Sequence, residues 1–357
     1  MTQPMSRHIT YYQALNEAVR QMMKTDSRVF IFGEGVPDPK AIFGSTDGLQ
    51  EQFGPERVFD MPLSEAGMTG VAVGAALAGM RPVMTHQRID FTLLAMDQIV
   101  NHAAKRCYTS GGRQAVPLTI RSIIGRGWGQ GSQHSQSLHA MYAHVPGLKV
   151  VMPTTPYDAK GLLVASIEDN NPVMFIEHRW LYGITGPVPE EIYRVPLGQP
   201  KVFREGSDLT IVGVSYMTLE AFRAAEMLAR EGIKAEVVDV RTLRPLDDAI
   251  IMESVRKTGR LMVADTGWET VGFSAEIVAR VAEKLHGHLK NAPKRIGLPD
   301  CPTPTTPALA NHYYPLASHM ADIGREMLGV KPSGNNSQRD KPAIHLDIPD
   351  RSFTGPF

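Results

Sequence analysis

The sequence predicts two α/β domains, each of three layers with a parallel sheet between helices, and three observations carry that reading. Apolar runs of strand length alternate with helical patterns along most of the 357 residues. Aromatic residues make up only 7% of the chain while Gly, Ala, Met and Val abound, a composition suited to helices packed closely on buried strands. A stretch with four prolines and no sustained periodicity, "ITGPVPEEIYRVPLGQPKVFREGS" (184–207), divides the pattern in two. The expected organisation is a first domain at 1–183, a linker at 184–207, a second domain at 208–330 and a polar tail at 331–357.

Taken in order, "YYQALNEAVRQMMKTD" (11–26) reads as an amphipathic helix and "RVFIFGEG" (28–35) as a buried strand ending in a glycine turn. In "MPLSEAGMTGVAVGAALAGM" (61–80), Ser64 stands where a helix cap belongs and Glu65 falls in the first turn. That helix is rich in Gly and Ala, so something must approach its backbone closely. "RPVMT" (81–85) is a strand, "DFTLLAMDQIVNHAAKR" (90–106) a helix and "VPLTIRS" (116–122) a strand. "LKVVMPTT", "PYDAKGLLVASIED" and "PVMFIEH" then give strand, helix and strand through His178. Beyond the linker, "DLTIVGVS", "KAEVVDVRTL" and "RLMVADTG" read as strands separated by helices, with "FSAEIVARVAEKLHG" as a further helix.

Composition removes several classes of function. Lys+Arg and Asp+Glu both number 37, which gives no electrostatic case for nucleic acid or an anionic membrane. The start lacks the apolar core of a signal peptide, and no later run is long and apolar enough to span a bilayer. Cys107 and Cys301 are the only cysteines and form no metal-type pair, so neither a disulfide framework nor a zinc cage is expected. A reducing, cytoplasmic setting fits this usage.

The chemistry concentrates in "GRGWGQGSQHSQS" (125–137), which follows a strand. Its glycines run G-x-G-x-G-x-G rather than G-x-G-x-x-G, and no Walker lysine follows, so it is not built as a phosphate cradle. His134 and His139 are five residues apart and leave one helix face, which argues against a shared metal. What remains is a glycine segment presenting His134 beyond a strand end, where open α/β sheets bind ligands. The alternative is that His134 caps the next helix. Glu65 offers a similar choice. It is either a first-turn acid favoured by the helix dipole, or a carboxyl buried against a ligand that sets its protonation.

With these pieces in order, the chain resembles the beta subunits of thiamine-diphosphate-dependent 2-oxo acid dehydrogenases, within the transketolase superfamily, over about residues 8–328. "FGPERVFDMPLSEAGMTGVAVGAALAGMRPV", "LAMDQIVNHAAK", "GQGSQHSQS", "HVPGLKVVMPTTPYDAKGLL", "DNNPV" and "DVRTLRPLD" carry the likeness, in family order. The resemblance implies a transketolase-like pyrimidine-binding domain followed by a transketolase C-terminal-like domain. It implies that Glu65 hydrogen-bonds a ring nitrogen of the cofactor's aminopyrimidine, that Phe91 packs on the pyrimidine, and that Leu63 and Gln87 lie nearby. It makes His134 the histidine that steers the 2-oxo acid or its acyl group. It also implies a structural potassium ion held by oxygens of Leu118, Ser166, Ile167, Asp169 and Asn171. The superfamily's G-D-G motif for diphosphate and Mg²⁺ is missing here, so an alpha subunit is expected to supply those ligands in an α₂β₂ heterotetramer.

The chain departs from the family at "THQRIDF", where His86 and Arg88 stand. Arg88 is expected either to form a surface or interface ion pair, or to read an anionic group on an unusual substrate, with His86 beside it. Thr305 stands where the family has tyrosine, and "IHLDIPDRSF" in the tail is a segment that a partner can receive. Three functions follow as expectations. The first is decarboxylation of a 2-oxo acid with acyl transfer to a lipoyl carrier, docked on a lipoyl acyltransferase core. The second is a two-subunit transketolase-like or acyloin-forming reaction on a ketose or specialised metabolite. The third is a non-catalytic scaffold.

Overall fold

The computed structural model describes residues 7–38, 40–127 and 129–330; the tail expected at 331–357 and Trp128 lie outside the described residues. Two compact units result. Of the described residues, those from Arg7 to Ile124 together with Met141–Leu197 form the first, and Gly125–Ala140 with Gly198 to Val330 form the second. The arm between residues 125 and 140 therefore groups with the C-terminal unit, although sequence order places it inside the first domain.

The stretch read as a linker at 184–207 is not wholly irregular. Thr185–Pro187 pairs antiparallel with His8–Thr10, and Lys201–Arg204 pairs antiparallel with Ala235–Asp239 at the edge of the second sheet. Strands of three and four residues are too short to show a period, and prolines are tolerated at edges where no ladder N–H is needed.

In the first unit, parallel strands stand in the order Lys149–Val151, Val173–His178, Thr119–Ile124, Arg81–His86, Val29–Gly33 and Val58–Phe59. Thr119–Ile124 and Val173–His178 are buried along their whole length, so the charged residues they carry, Arg121 and Glu177, pair with each other in the core. Helix Tyr11–Thr25 begins at a capping box between Thr10 and Gln13. Helix Pro156–Glu168 begins with Thr155 accepting the N–H of Asp158 and proline in its first turn.

The two faces of this sheet can be assigned from register. Thr69 Oγ1 reaches Met84 Sδ at 3.3 Å, so helix Glu65–Leu77 covers the Met84 face. Arg121 pairs with Thr85 and so points to the opposite face. There it meets Glu177 at 2.6 Å, both side chains fully buried, and Ser45 Oγ at 2.8 Å. Tyr182 also donates to Glu177 and stacks on Tyr11, which places helix Tyr11–Thr25 on the Arg121 face.

Two expected helical features come out differently. Ser64 occupies the cap position but makes no capping bond. Its Oγ lies 2.8 Å from where a Cβ on Gly67 would stand. The helix expected at 90–106 is broken into a 3₁₀ segment Ile89–Ala95, a π segment Gln98–Ala103 and an α segment Ala104–Thr109. Thr92 Oγ1 donates to the Ile89 carbonyl at 2.6 Å, a local bond that competes with the α ladder.

The second unit carries a sheet in the order Lys294–Leu298, Leu261–Trp268, Leu209–Gly213, Ala235–Asp239 and Lys201–Arg204, parallel except for the last strand. Helix Ala317–Leu328 packs on helix Tyr216–Ala229, with Gly324 set against Leu228 and Leu209. Among the described residues no helix is long and apolar enough to cross a membrane.

Candidate active site

The parallel order brings the carboxyl ends of Val29–Gly33 and Arg81–His86 side by side, with Gly33 opposite Thr85. A Cβ on Gly33 would lie 2.2 Å from the Thr85 carbonyl oxygen, so only glycine lets these ends close up. Just beyond them, Gln87 Nε2 donates to the Glu34 carbonyl at 3.0 Å. Gly35, at φ +72°, leaves room for that amide and donates its N–H to Asp60 Oδ1 at 3.1 Å. Burial raises the Glu34 carboxyl above its ordinary pKa, and the charges of Glu65 and Asp60 add to the shift. Glu34 Oε1 is buried without a hydrogen bond.

Glu65 opens helix Glu65–Leu77 and is 6% exposed. Among the described residues no hydrogen bond or ion pair engages its carboxyl. Phe91 is half-buried one short turn after strand Arg81–His86. Leu63, just before helix Glu65–Leu77, is 81% exposed, and Val71 on that helix is 58% exposed, apolar side chains left open by this chain alone.

His86 and Arg88 are both buried, so neither lies on the surface of this chain. Burial pushes His86 down to a pKa of about 4, which makes it neutral near pH 7 and unable to read an anion by charge. Its Nε2 has no hydrogen-bond partner, and neither does Oγ of Ser122, its register partner on the adjacent strand.

His134 lies in the second unit, exposed, at the end of a 3₁₀ turn Ser132–His134. The next helix, His139–Ala143, starts five residues later, so His134 is not its cap. The arm is held at several points. Arg126 Nε donates to the Pro304 carbonyl at 3.0 Å and its Nη2 to the Thr305 carbonyl. Thr303 Oγ1 donates to the Ser135 carbonyl at 3.4 Å, and His139 meets Asp265. Gly131 lies close to Thr305, whose Oγ1 stands 2.7 Å from the position a Cβ would take. A cavity of about 410 Å³ adjoins the arm, lined by Ser132, Gln133, Gln136, Trp268, Asp300 and Cys301 among others.

The residues expected around potassium gather where helix Pro156–Glu168 ends and strand Thr119–Ile124 begins, but their oxygens have internal partners. Arg81 Nη1 donates to the carbonyls of Ile167 at 3.1 Å and Asp169 at 3.0 Å. The Ser166 carbonyl accepts from Thr119, the Leu118 carbonyl accepts the N–H of Val173, and Asp169 Oδ1 accepts the N–H of Asn171. A guanidinium thus already supplies positive charge there, and a cation would have to use the remaining lone pairs.

Comparison with known proteins places this geometry. Residues 7–185 match the family "Transketolase, pyrimidine binding domain" and residues 198–320 match "Transketolase, C-terminal domain"; the chain belongs to this family. It is 42% identical to the beta subunit of acetoin:2,6-dichlorophenolindophenol oxidoreductase of Cupriavidus necator, over 91% of this chain and 98% of that one. It is 45% identical to the mitochondrial pyruvate dehydrogenase E1 component subunit beta-1 of Arabidopsis thaliana, over 84% of each. Against the corresponding Bacillus subtilis beta subunit the identity is 43%, over 85% of this chain and 95% of that one. A solved structure described as a split gene transketolase, an inactive beta4 tetramer, superposes with a TM-score of 0.74 at 25% identity, covering 90% of this chain and 99% of that one.

Glu34, Ser122 and the His139–Asp265 pair were not singled out as site residues by sequence reasoning. Glu34 carried a signal, since it follows a strand and precedes a glycine turn. Asp265 and His139 are 126 residues apart and carried none.

Proposed function

We propose that this chain is the beta subunit of a heteromeric thiamine-diphosphate-dependent enzyme that decarboxylates a 2-oxo acid and passes the acyl group to a lipoyl carrier. The observation that carries the reading is Glu65: a buried residue at a helix start, its carboxyl unengaged by its own chain and close enough to Glu34 to raise that carboxyl's pKa. Such a group needs an external hydrogen-bond partner, and the ring nitrogen of an aminopyrimidine suits it. The residues fit that half of the cofactor. Glu65 would hold the shared proton, Phe91 would pack on the ring, and Gln87 and Leu63 would border it. When bound, thiamine diphosphate supplies a carbon nucleophile that no amino-acid side chain provides. His134 would orient the 2-oxo acid and move a proton near neutral pH.

The sequence has no G-D-G motif, so we assign the diphosphate and Mg²⁺ ligands to an alpha subunit in an α₂β₂ assembly. The exposed apolar side chains of Leu63 and Val71 support such a partner. Docking to an acyltransferase core and a cytoplasmic location follow from the same reading. A second reading, an acyloin-type reaction on an uncharged substrate, is favoured by the neutral polar pair His86 and Ser122. The deciding experiment is co-expression with the alpha partner, followed by assays of 2-oxo acids with a dye acceptor and of uncharged acyloins and ketoses with an aldehyde acceptor. Turnover of 2-oxo acids alone supports the first reading. Turnover of neither overturns both.

A further inference from the structure

We propose that His139 and Asp265 form a positioning dyad that holds the 125–140 arm, and with it His134, in its working conformation. The inference rests on the role given to His134 above. His139 Nε2 lies 2.9 Å from Asp265 Oδ1 and 3.0 Å from Oδ2, with the two side chains 0% and 2% exposed. Asp265 sits in strand Leu261–Trp268, within the interval where pairing with Lys294–Leu298 shifts register. Such irregularities re-aim side chains. Here the carboxylate also accepts the N–H of Gly267 at 3.1 Å. A Cβ on Gly267 would stand 3.1 Å from Asp265 Oδ2 and 3.2 Å from the His139 ring, so the backbone closes tightly over the pair.

A carboxylate at Nε2 selects the tautomer with the proton on that nitrogen, which leaves Nδ1 as an acceptor. His139 Nδ1 is buried with no hydrogen-bond partner. An apolar side chain would fill the same space without that desolvation cost. What imidazole adds is a directional, charge-assisted bond that fixes rotation about its own axis. That direction matters because His139 opens helix His139–Ala143 at the C-terminal end of the arm. Between Arg126 and Ser135 the chain contains Gly127, Gly129 and Gly131, which impose little conformation themselves. The orientation of His134 therefore depends on the arm's anchors, among them Thr303 on the Ser135 carbonyl. Arg126 holds one end through two main-chain carbonyls, and the dyad holds the other. The dyad touches no reacting atom and acts only through placement.

The test uses the complex co-expressed with its alpha partner, with His139→Ala, His139→Gln and Asp265→Asn, each also combined with His134→Ala. Misplacement of a reacting group by about 1 Å costs on the order of 100-fold, and a loss of that size in kcat is expected for His139→Ala. His139→Gln, which can still donate to Asp265, should recover much of it. In the His134→Ala background His139→Ala should cost nothing further, because both changes remove the same contribution. Limited proteolysis provides a readout independent of turnover: cleavage within the arm should accelerate in His139→Ala and in Asp265→Asn. Full activity in His139→Ala, or the same fold-loss with and without His134, overturns the proposal. If no variant or parent turns over a 2-oxo acid, the functional reading fails, and unchanged arm cleavage would then overturn the dyad separately.

Discussion

Gln87 and Glu34 are joined across two adjacent strand ends, the Gln87 amide donating to the Glu34 carbonyl at 3.0 Å. The bond leaves the Glu34 carboxyl free to face Glu65 and Asp60, whose charges raise its pKa together with burial. The sign of the consequence is definite. A carboxyl with a raised folded pKa binds protons more tightly when folded, so its contribution to stability falls as pH rises through the carboxylate range. Glu34→Gln should therefore melt at or above the parent temperature near pH 7, with the difference closing as pH is lowered. A lower melting temperature at pH 7 would show that the Glu34 charge is stabilising.

Glu65→Gln keeps size and loses the ability to share a proton. In the reconstituted complex it should lower kcat by about 10²–10⁴-fold while circular dichroism and complex formation stay unchanged. Undiminished turnover would return the chain to a scaffold role.

His86 carries a pH signature of its own. Its folded pKa of about 4 lies below the ordinary 6.5, so stability is full above pH 6.5 and is lost as pH falls toward 4. The loss across that window is on the order of 3 kcal/mol. His86→Phe, which has no proton to bind, should flatten melting temperature against pH between those limits. An unchanged slope would mean that His86 is solvated.

Arg81 offers a choice between guanidinium and cation at the loop after helix Pro156–Glu168. Because it already bonds the carbonyls of Ile167, Glu168 and Asp169, exchange of potassium for sodium should leave the parent melting temperature unchanged. Arg81→Met should melt lower and recover in part with added potassium. A parent protein that loses stability without potassium would assign the charge at this loop to the ion.

Much of this was readable from the chain. Unbroken apolar runs located the buried strands, and the Thr10 and Thr155 caps stand where their helices start. The place of Glu65 in a first helical turn was legible from the small residues that follow it. Less readable were features set by tertiary contact. Thr92 diverts the 90–106 helix through a bond to Ile89 and a contact with Tyr142 that spacing does not reveal. The arm at 125–140 joins the second unit through Arg126, Ser135 and His139, whose partners lie more than 100 residues away. Burial of Arg88 was likewise hidden, because a charged residue after a strand reads as surface.

Thiamine diphosphate binding tests the central claim most directly. The chain alone and the co-expressed complex should each be titrated with thiamine diphosphate and Mg²⁺ by calorimetry, with Glu65→Gln as the control. The account predicts no tight, stoichiometric binding to the chain alone, and one cofactor per alpha–beta pair in the complex. Stoichiometric, tight binding to the isolated chain would contradict it.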